Sequence, residues 1–340
     1  MGKTAMTDPA PSFPTLLQRF FVEHLGQQRA VSPRTIAAYR DTFRLLLGFA
    51  EARIGKAPAT FSMTDFSAKL ILDFLDYLEK VRENAARSRN ARLAALRSFL
   101  KYAAHHDLTA LAVIEQALSI PMKRFDRRML GFLTRDEIQA VLDATDAGTW
   151  AGQRDRALFS ILYNTGARVS EAISLRVRDV VTTDGSATVH LQGKGRKHRS
   201  VPLWKPTAAL LRGWTKQLGE VRAESFVFPN RNGGRLTRSN VTKRLDLAVA
   251  RATKDQPGLC GRSISPHTIR HTTAMHMLQA GVDITVIALW LGHESPATTH
   301  MYLEADLSMK ERALNRLQPV ETRNTRYRPP DQLMHFLQSL

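Results

Sequence analysis

Five clusters in the second half of the chain hold residue types that do chemistry on phosphate: Arg168 with Glu171, Lys194, His267 with Arg270, His293, and lastly Tyr302. Together they offer a phenol as nucleophile, cations for phosphate oxygens and groups that carry protons, without a metal-ligand set or a nucleotide-binding loop. At a pKa near 10, only about a thousandth of a free tyrosine is phenolate at pH 7. A nucleophilic Tyr302 therefore needs a base or dense positive charge beside it. Two arginine forks, Arg168 and Arg270, on the non-bridging oxygens of a phosphodiester would stabilise the charge that grows as phosphorus becomes five-coordinate. Each charge-assisted bond contributes roughly 1.5–3 kcal/mol. The set suits breakage and rejoining of a DNA backbone through a phosphotyrosine.

Each cluster also has an ordinary reading. A tyrosine at the edge of a helical region commonly just packs. Arg168 can be only the salt-bridge partner of Glu171, Gly193-Lys194-Gly195 a plain basic hairpin, and His293 a surface histidine. His267 and His271 stand four apart, as metal ligands do on a helix, but no acidic residue lies between them and no third ligand is evident. No metal is expected there. The glycines around Lys194 lack the length and the trailing Lys-Ser/Thr of a phosphate-binding loop.

The elements that must position these groups are mostly helical. Apolar positions recur at helical spacing over Phe13 to Leu25, Ser32 to Glu51, Ala68 to Val81 and Ala91 to Tyr102, and Ser32-Pro33 is a helix start. Residues 13–108 read as a helical domain of four or five helices. Its last helix carries Leu93, Leu96 and Leu100 on one stripe, with Arg87, Arg89, Arg92, Arg97 and Lys101 in and before it. No acid occurs between Asn84 and His106, so these cations are candidates for a DNA groove. Residues 109–130 read as a basic linker, in which Arg127 and Arg128 can track a phosphate backbone.

A capping box, Thr134 to Glu137, opens the second domain, placed at 131–318. Asp155 to Asn164 and Ser170 to Leu175 read as helices joined at Gly166, which permits the bend that presents Arg168. Thr188 to Gln192 and His198 to Leu203 read as strands of an antiparallel hairpin tipped by Lys194, Arg196 and Lys197. Helices follow at 207–218, 239–253, 266–280, 284–291 and 307–317, with His267 and Arg270 three apart behind Ser265-Pro266. The fold class is thus mainly α with a small antiparallel β-sheet, in two domains. Residues 1–12 are expected to be disordered, and 319–340 to form a tail whose Leu333, Phe336, Leu337 and Leu340 repeat at helical spacing.

Composition narrows the partner. The 340 residues carry 49 lysines and arginines against 31 acids, a net charge of +18. Splitting the chain at residue 130 leaves 20 basic against 12 acidic residues before it, and 29 against 19 after it. A charge excess shared by both halves favours a polyanion running past both, and nucleic acid is the commonest of that size. The single Cys260 excludes an internal disulfide framework and points to a reducing compartment. No apolar run approaches the roughly 20 residues that span a bilayer, and the first residues lack a signal-like core. A cytoplasmic protein without a membrane association is expected.

Thr165-Gly-Ala-Arg-Val-Ser-Glu, Gly193-Lys-Gly-Arg-Lys, His267-Thr-Ile-Arg-His, and Leu291-Gly-His followed by Thr298-Thr-His-Met-Tyr302 resemble the tyrosine recombinase (phage integrase) family. The resemblance covers the second domain strongly. It reaches the first loosely, through Ser32-Pro33-Arg34-Thr35 and the basic helix near Arg92. It implies a SAM-like core-binding domain and a catalytic domain closing as a clamp on double-stranded DNA at a specific site. Tyr302 would attack a phosphate to leave a 3′-phosphotyrosine and a free 5′-hydroxyl, with Arg168, Arg270 and His293 binding the phosphate. Lys194 would protonate the departing oxygen, His267 assist proton transfer, and Glu171 orient the cluster from behind. Neither ATP nor any other cofactor is implied, since the phosphotyrosine keeps the energy of the broken bond.

The resemblance also implies two pairs of protomers on the recombining sites, as a homotetramer or with related recombinases, and a tail exchanged between neighbours. The stretch past Tyr302 exceeds that of the compact chromosome-dimer-resolving type and favours integration, excision or transposition of a mobile element. A dimer-resolving recombinase and a topoisomerase-like strand transferase are the nearest rivals. A DNA-binding regulator that does not cleave is the more distant one.

Overall fold

The computed structural model describes residues 11–125, 131–183, 186–193, 198–220 and 222–293, together with Leu337. The chain divides into two compact units, Met1–Arg128 and Met129–Leu340.

In the first unit, α1 (Phe13–Arg19) runs into a π-helical stretch, Phe20–Gln28. It is followed by α2 (Pro33–Ile54), α3 (Ala68–Lys80), α4 (Ala86–Ala104) and α5 (Leu111–Leu118). The starts are set by local chemistry. Ser12, Ser32 and Ser67 each accept a hydrogen bond from an amide of the first turn, satisfying donors a helix leaves open. The packing is set by the apolar stripes, with Leu70, Ile71, Phe74, Leu75 and Leu78 of α3 all buried. Phe99 on α4 ties the core together, its ring lying 5.3–5.9 Å from those of Phe13, Phe20, Phe43 and Phe66.

Helix α5 corrects the expected linker. It falls inside 109–130, and Ile114, Ala117 and the following Ile120 are buried in the same core. Arg97 reaches across from α4 and donates to the carbonyls of Leu118 (2.9 Å) and Ile120 (2.5 Å), closing acceptors at the end of α5.

In the second unit, α6 (Arg135–Asp143), α7 (Trp150–Thr165) and the single turn α8 (Val169–Ala172) precede a three-stranded sheet. The sheet consists of β1 (Val180–Thr183), β2 (Ser186–Gln192) and β3 (His198–Pro202), antiparallel in the order β1-β2-β3. The strand β1 adds to the expected hairpin. Val189 pairs with Val180 on one side and Val201 on the other, while Leu191 pairs with Arg199. Helices α9 (Lys205–Gln217), α10 (Arg238–Ala252), α11 (Pro266–Gln279) and α12 (Ile284–Leu291) follow.

Helix α11 is central, buried almost all round although six of its buried residues are Thr, Arg or His. Arg270, Thr272, Thr273 and His276 are bonded outward to the helices and segments that enclose it. Thr273 Oγ1 donates to the Tyr163 carbonyl on α7 (2.7 Å), His276 Nδ1 meets the Tyr163 hydroxyl (2.7 Å), and Thr272 Oγ1 accepts from Leu133 N (3.0 Å). The helix that carries His267 and Arg270 is therefore fixed along its length.

Candidate active site

Arg168 is positioned by a turn and a cap. Helix α7 ends at Gly166, whose φ of 58° lies in the left-handed region, and Thr165 Oγ1 accepts from Ala167 N at 3.1 Å to hold the reversal. Arg168 then stands at the N-cap of α8. Glu171 lies one turn on, with Oε2 accepting from Arg168 N (3.0 Å) and Oε1 from Arg168 Nη1 (2.9 Å). A carboxylate in the first turn of a helix is favoured there by the exposed amides.

Glu171 has a second partner that the sequence reading does not include. Arg199 of β3 donates from Nη2 to Glu171 Oε2 at 2.7 Å, and its side chain is largely buried. Burial alone would raise the Glu171 pKa. The hydrogen bond and charge of Arg199, followed by the bonds from Arg168, outweigh it and hold the carboxyl below its ordinary value. One signal for Arg199 was available. It alternates with Val201 and pairs with Leu191, so it occupies the apolar side of its strand while His198 and Ser200 are exposed.

Arg270 enters from α11. Ser265 and Pro266 start that helix, His267 on its first turn is exposed, and Arg270 one turn later is buried. Its guanidinium donates through Nη1 to the Gly166 carbonyl (2.6 Å) and through Nη2 to the Leu291 carbonyl (2.9 Å). Both Nη atoms of Arg168 lie 3.4 Å from the next carbonyl, that of Gly292. The two arginines thus meet on consecutive carbonyls at the end of α12, where a helix presents negative partial charge. Gly292 closes α12 with φ 67°, and His293 follows, its amide bonded to the Ala288 carbonyl at 3.0 Å.

His293 is partly buried, and that burial lowers its pKa from 6.5 to about 4, helped by the positive charge of Arg270, Arg168 and Arg199 and by His267. At neutral pH it is an uncharged imidazole able both to donate and to accept. An NMR titration of the DNA-free chain should show no inflection from His293 near pH 6.5, its midpoint lying near 4. The folded state binds fewer protons there than the unfolded chain, so stability should fall as pH drops from 6.5 toward 4. His276, also lowered chiefly by burial, acts in the same sense. Thermal unfolding at pH 5 and pH 7 measures it.

The structure brings Arg168, Glu171, Arg270 and His293 together, with His267 near enough to act on His293. Lys194, Arg196, Lys197, Arg127, Arg128, Tyr302 and the tail apart from Leu337 lie outside the described residues. On the first unit, Arg34, Arg87 and Lys101 are exposed, while Thr35 and Arg92 are partly buried. Thr35 Oγ1 is bonded to Ser32 Oγ at 2.9 Å, and Arg92 Nη1 lies 3.4 Å from Thr42 Oγ1. Arg89 is buried with Nε 3.5 Å from Glu79 Oε2, and Arg97 is engaged with carbonyls, so both have internal work to do. Among the described residues no three His, Cys, Asp or Glu side chains are grouped to hold a metal ion, and no helix is long and apolar enough to cross a membrane.

Comparison with known proteins agrees with this geometry. Residues 131–309 match the phage integrase family, and residues 18–107 match the N-terminal SAM-like domain of phage integrases. The chain belongs to the phage integrase family and is a tyrosine site-specific recombinase. It is 46% identical over 331 residues to y4rC of Sinorhizobium fredii, an inferred integrase/recombinase, covering 97% of this chain and 98% of that one. It is 30% identical over 299 residues to the tyrosine recombinase XerD of Pseudomonas putida, covering 86% and 93%. The fold is shared with the integrase of the Tn1549 transposon in complex with a circular intermediate DNA, at a TM-score of 0.67 and 15% identity over 89% of this chain and 99% of that one.

Proposed function

We propose that this recombinase integrates, excises or transposes a mobile element, cutting and rejoining double-stranded DNA at a specific site through a 3′-phosphotyrosine on Tyr302. Arg168 and Arg270 bind the non-bridging oxygens of the scissile phosphate, and neutral His293 donates a further hydrogen bond. Lys194 protonates the departing 5′-oxygen, His267 assists proton transfer, and Glu171 orients the arginines. The covalent bond formed is Tyr302 Oη to phosphorus, and the bond broken is phosphorus to the 5′-oxygen. Reversal onto another strand's 5′-hydroxyl restores a diester without ATP or metal.

The observation that carries this reading is the convergence of two guanidinium groups and the His293 imidazole on the Leu291–His293 turn. It is the electrostatic provision that a five-coordinate phosphorane needs. The mobile-element role is supported by the 46% identity to an inferred integrase/recombinase along nearly the full length of both chains. On DNA the protomers work as a tetrameric synapse, of this chain alone or with a related recombinase. Residues 13–108, with Arg34, Arg87, Arg92 and Lys101, and the basic segment around Arg127 and Arg128 hold the duplex alongside the catalytic domain.

The test begins with duplexes enriched from a random pool by the full chain, then nicked so that the fragment released by cleavage diffuses away. Mass spectrometry should find the DNA 3′-phosphate on Tyr302 and a free 5′-hydroxyl on the released fragment of the cleaved strand. An adduct on another residue, or none, would sink the chemistry. Joining of the enriched site to an unlike target supports the mobile-element role, and recombination confined to repeated like sites overturns it.

A further inference from the structure

We propose that Arg199 is a positioning residue of the active site, fixing the Glu171 carboxylate between itself and Arg168 and bracing the Gly292 turn that leads into His293. The proposal rests on the reading of Arg168, Arg270 and His293 as the phosphate-binding groups. Two observations carry it, one on each side of the Arg199 guanidinium.

On one side, a single carboxylate lies between two cations. Glu171 receives Arg199 at 2.7 Å on Oε2 and Arg168 at 2.9 Å on Oε1, with 4% of its side chain exposed. A buried carboxylate needs such partners, and with two of them it cannot turn toward either without abandoning the other. Arg168 is 39% exposed at its side chain, so it is the member left facing outward, and its direction is inherited from the buried pair behind it.

On the other side, the Arg199 side chain lies against the bare backbone of Gly292. A Cβ added there would stand 2.9 Å from Arg199 Nη1 and 3.3 Å from its Cδ and Cζ. The glycine therefore serves twice, adopting a φ of 67° and leaving room for a guanidinium to pack on the turn. His293 is the next residue. Among the described residues, the charged or titratable groups facing it are Arg270 and His267 of α11, Arg168 ahead of α8, and Arg199 of β3. Loss of the Arg199 cation would both remove one positive neighbour and leave Glu171 less fully neutralised, and both changes favour protonation of His293.

Only Nη2 of Arg199 bonds Glu171, so a lysine can replace the contact, whereas glutamine keeps a donor without the charge. The experiment compares the full-length native chain with Arg199→Gln and Arg199→Lys, using imidazole-labelled histidine to follow His293 by NMR. Arg199→Gln should move the His293 titration upward by about one unit and slow single-turnover cleavage by about a hundredfold, with DNA affinity within about threefold. Arg199→Lys should return both close to native. A His293 titration that does not move in folded Arg199→Gln, or a lysine variant no better than glutamine, overturns the proposal. The titration is read without DNA, so it tests the clasp even if the native chain forms no adduct at Tyr302.

Discussion

Arg270→Ala is expected to slow cleavage of a suicide substrate by about two to four orders of magnitude, the loss that two charge-assisted hydrogen bonds to a transition-state phosphate imply. A guanidinium has five N–H donors, enough to grip the carbonyls of Gly166 and Leu291 and a phosphate oxygen at once. The same substitution strips two buried carbonyls of their donor, at about 1–3 kcal/mol each, so the unfolding midpoint should fall by several degrees. Arg270→Lys should do little better in rate, because one ammonium cannot reproduce the planar fork that spans two acceptors. DNA affinity should change only a few-fold, since phosphate contacts elsewhere supply most of it. Single-turnover cleavage measured below the midpoints of all variants separates chemistry from stability. Cleavage by Arg270→Ala within about tenfold of native would remove Arg270 from the chemistry.

Elements announced by their own caps were legible in the sequence. The bounds of α12 coincide with the expected 284–291, and Ser32, the Thr134–Glu137 box and Ser265-Pro266 all begin helices where expected. Such signals act within one turn and need no knowledge of the rest of the chain. Helix α4 starts five residues before the expected Ala91 because its N-cap, Ala85, offers no side-chain bond to mark the start. Helix α5 is two turns long, too short for a periodic stripe to stand out from basic neighbours, and what folds it is burial against the first unit's core. Strand β1 is a run of Val180, Val181, Thr182 and Thr183 before Asp184-Gly185, a hairpin signal that four residues make easy to pass over.

The site was legible as residue types and illegible as an arrangement. Arg168, Arg199, Arg270 and Gly292 come from four separate stretches, and only packing brings them onto one turn. Charge counting could not tell Arg87, which faces solvent, from Arg89 two positions later, which is buried beside Glu79. On a helix those positions lie on different faces, and the choice between them belongs to the core. Arg199 shows the converse, a cation on the apolar side of a strand whose placement made sense only once Glu171 was found opposite it.

Gly166→Ala is the second large effect expected, and it isolates geometry from charge because no charged group is touched. Gly166 has φ 58° and ψ 24°, a conformation costing an alanine about 1–2 kcal/mol. Its new Cβ would stand 2.3 Å from Leu291 Cδ2, so Leu291 must move, at a further cost of about 1–3 kcal/mol for overpacking. Gly166 and Leu291 supply the two carbonyls that Arg270 holds, and Arg168 lies two residues past Gly166. One methyl group therefore pushes apart both acceptors of one arginine while displacing the base of the other. The unfolding midpoint should drop by about 5–15 °C, and cleavage at a temperature where the variant is folded should fall about a hundredfold, with DNA affinity nearly native. Adding Leu291→Ala should relieve the clash and recover part of the rate, but not the cost of the left-handed backbone. If Gly166→Ala melts and cleaves like the native chain, the close approach of α7 to α12 is not what aligns the two arginines.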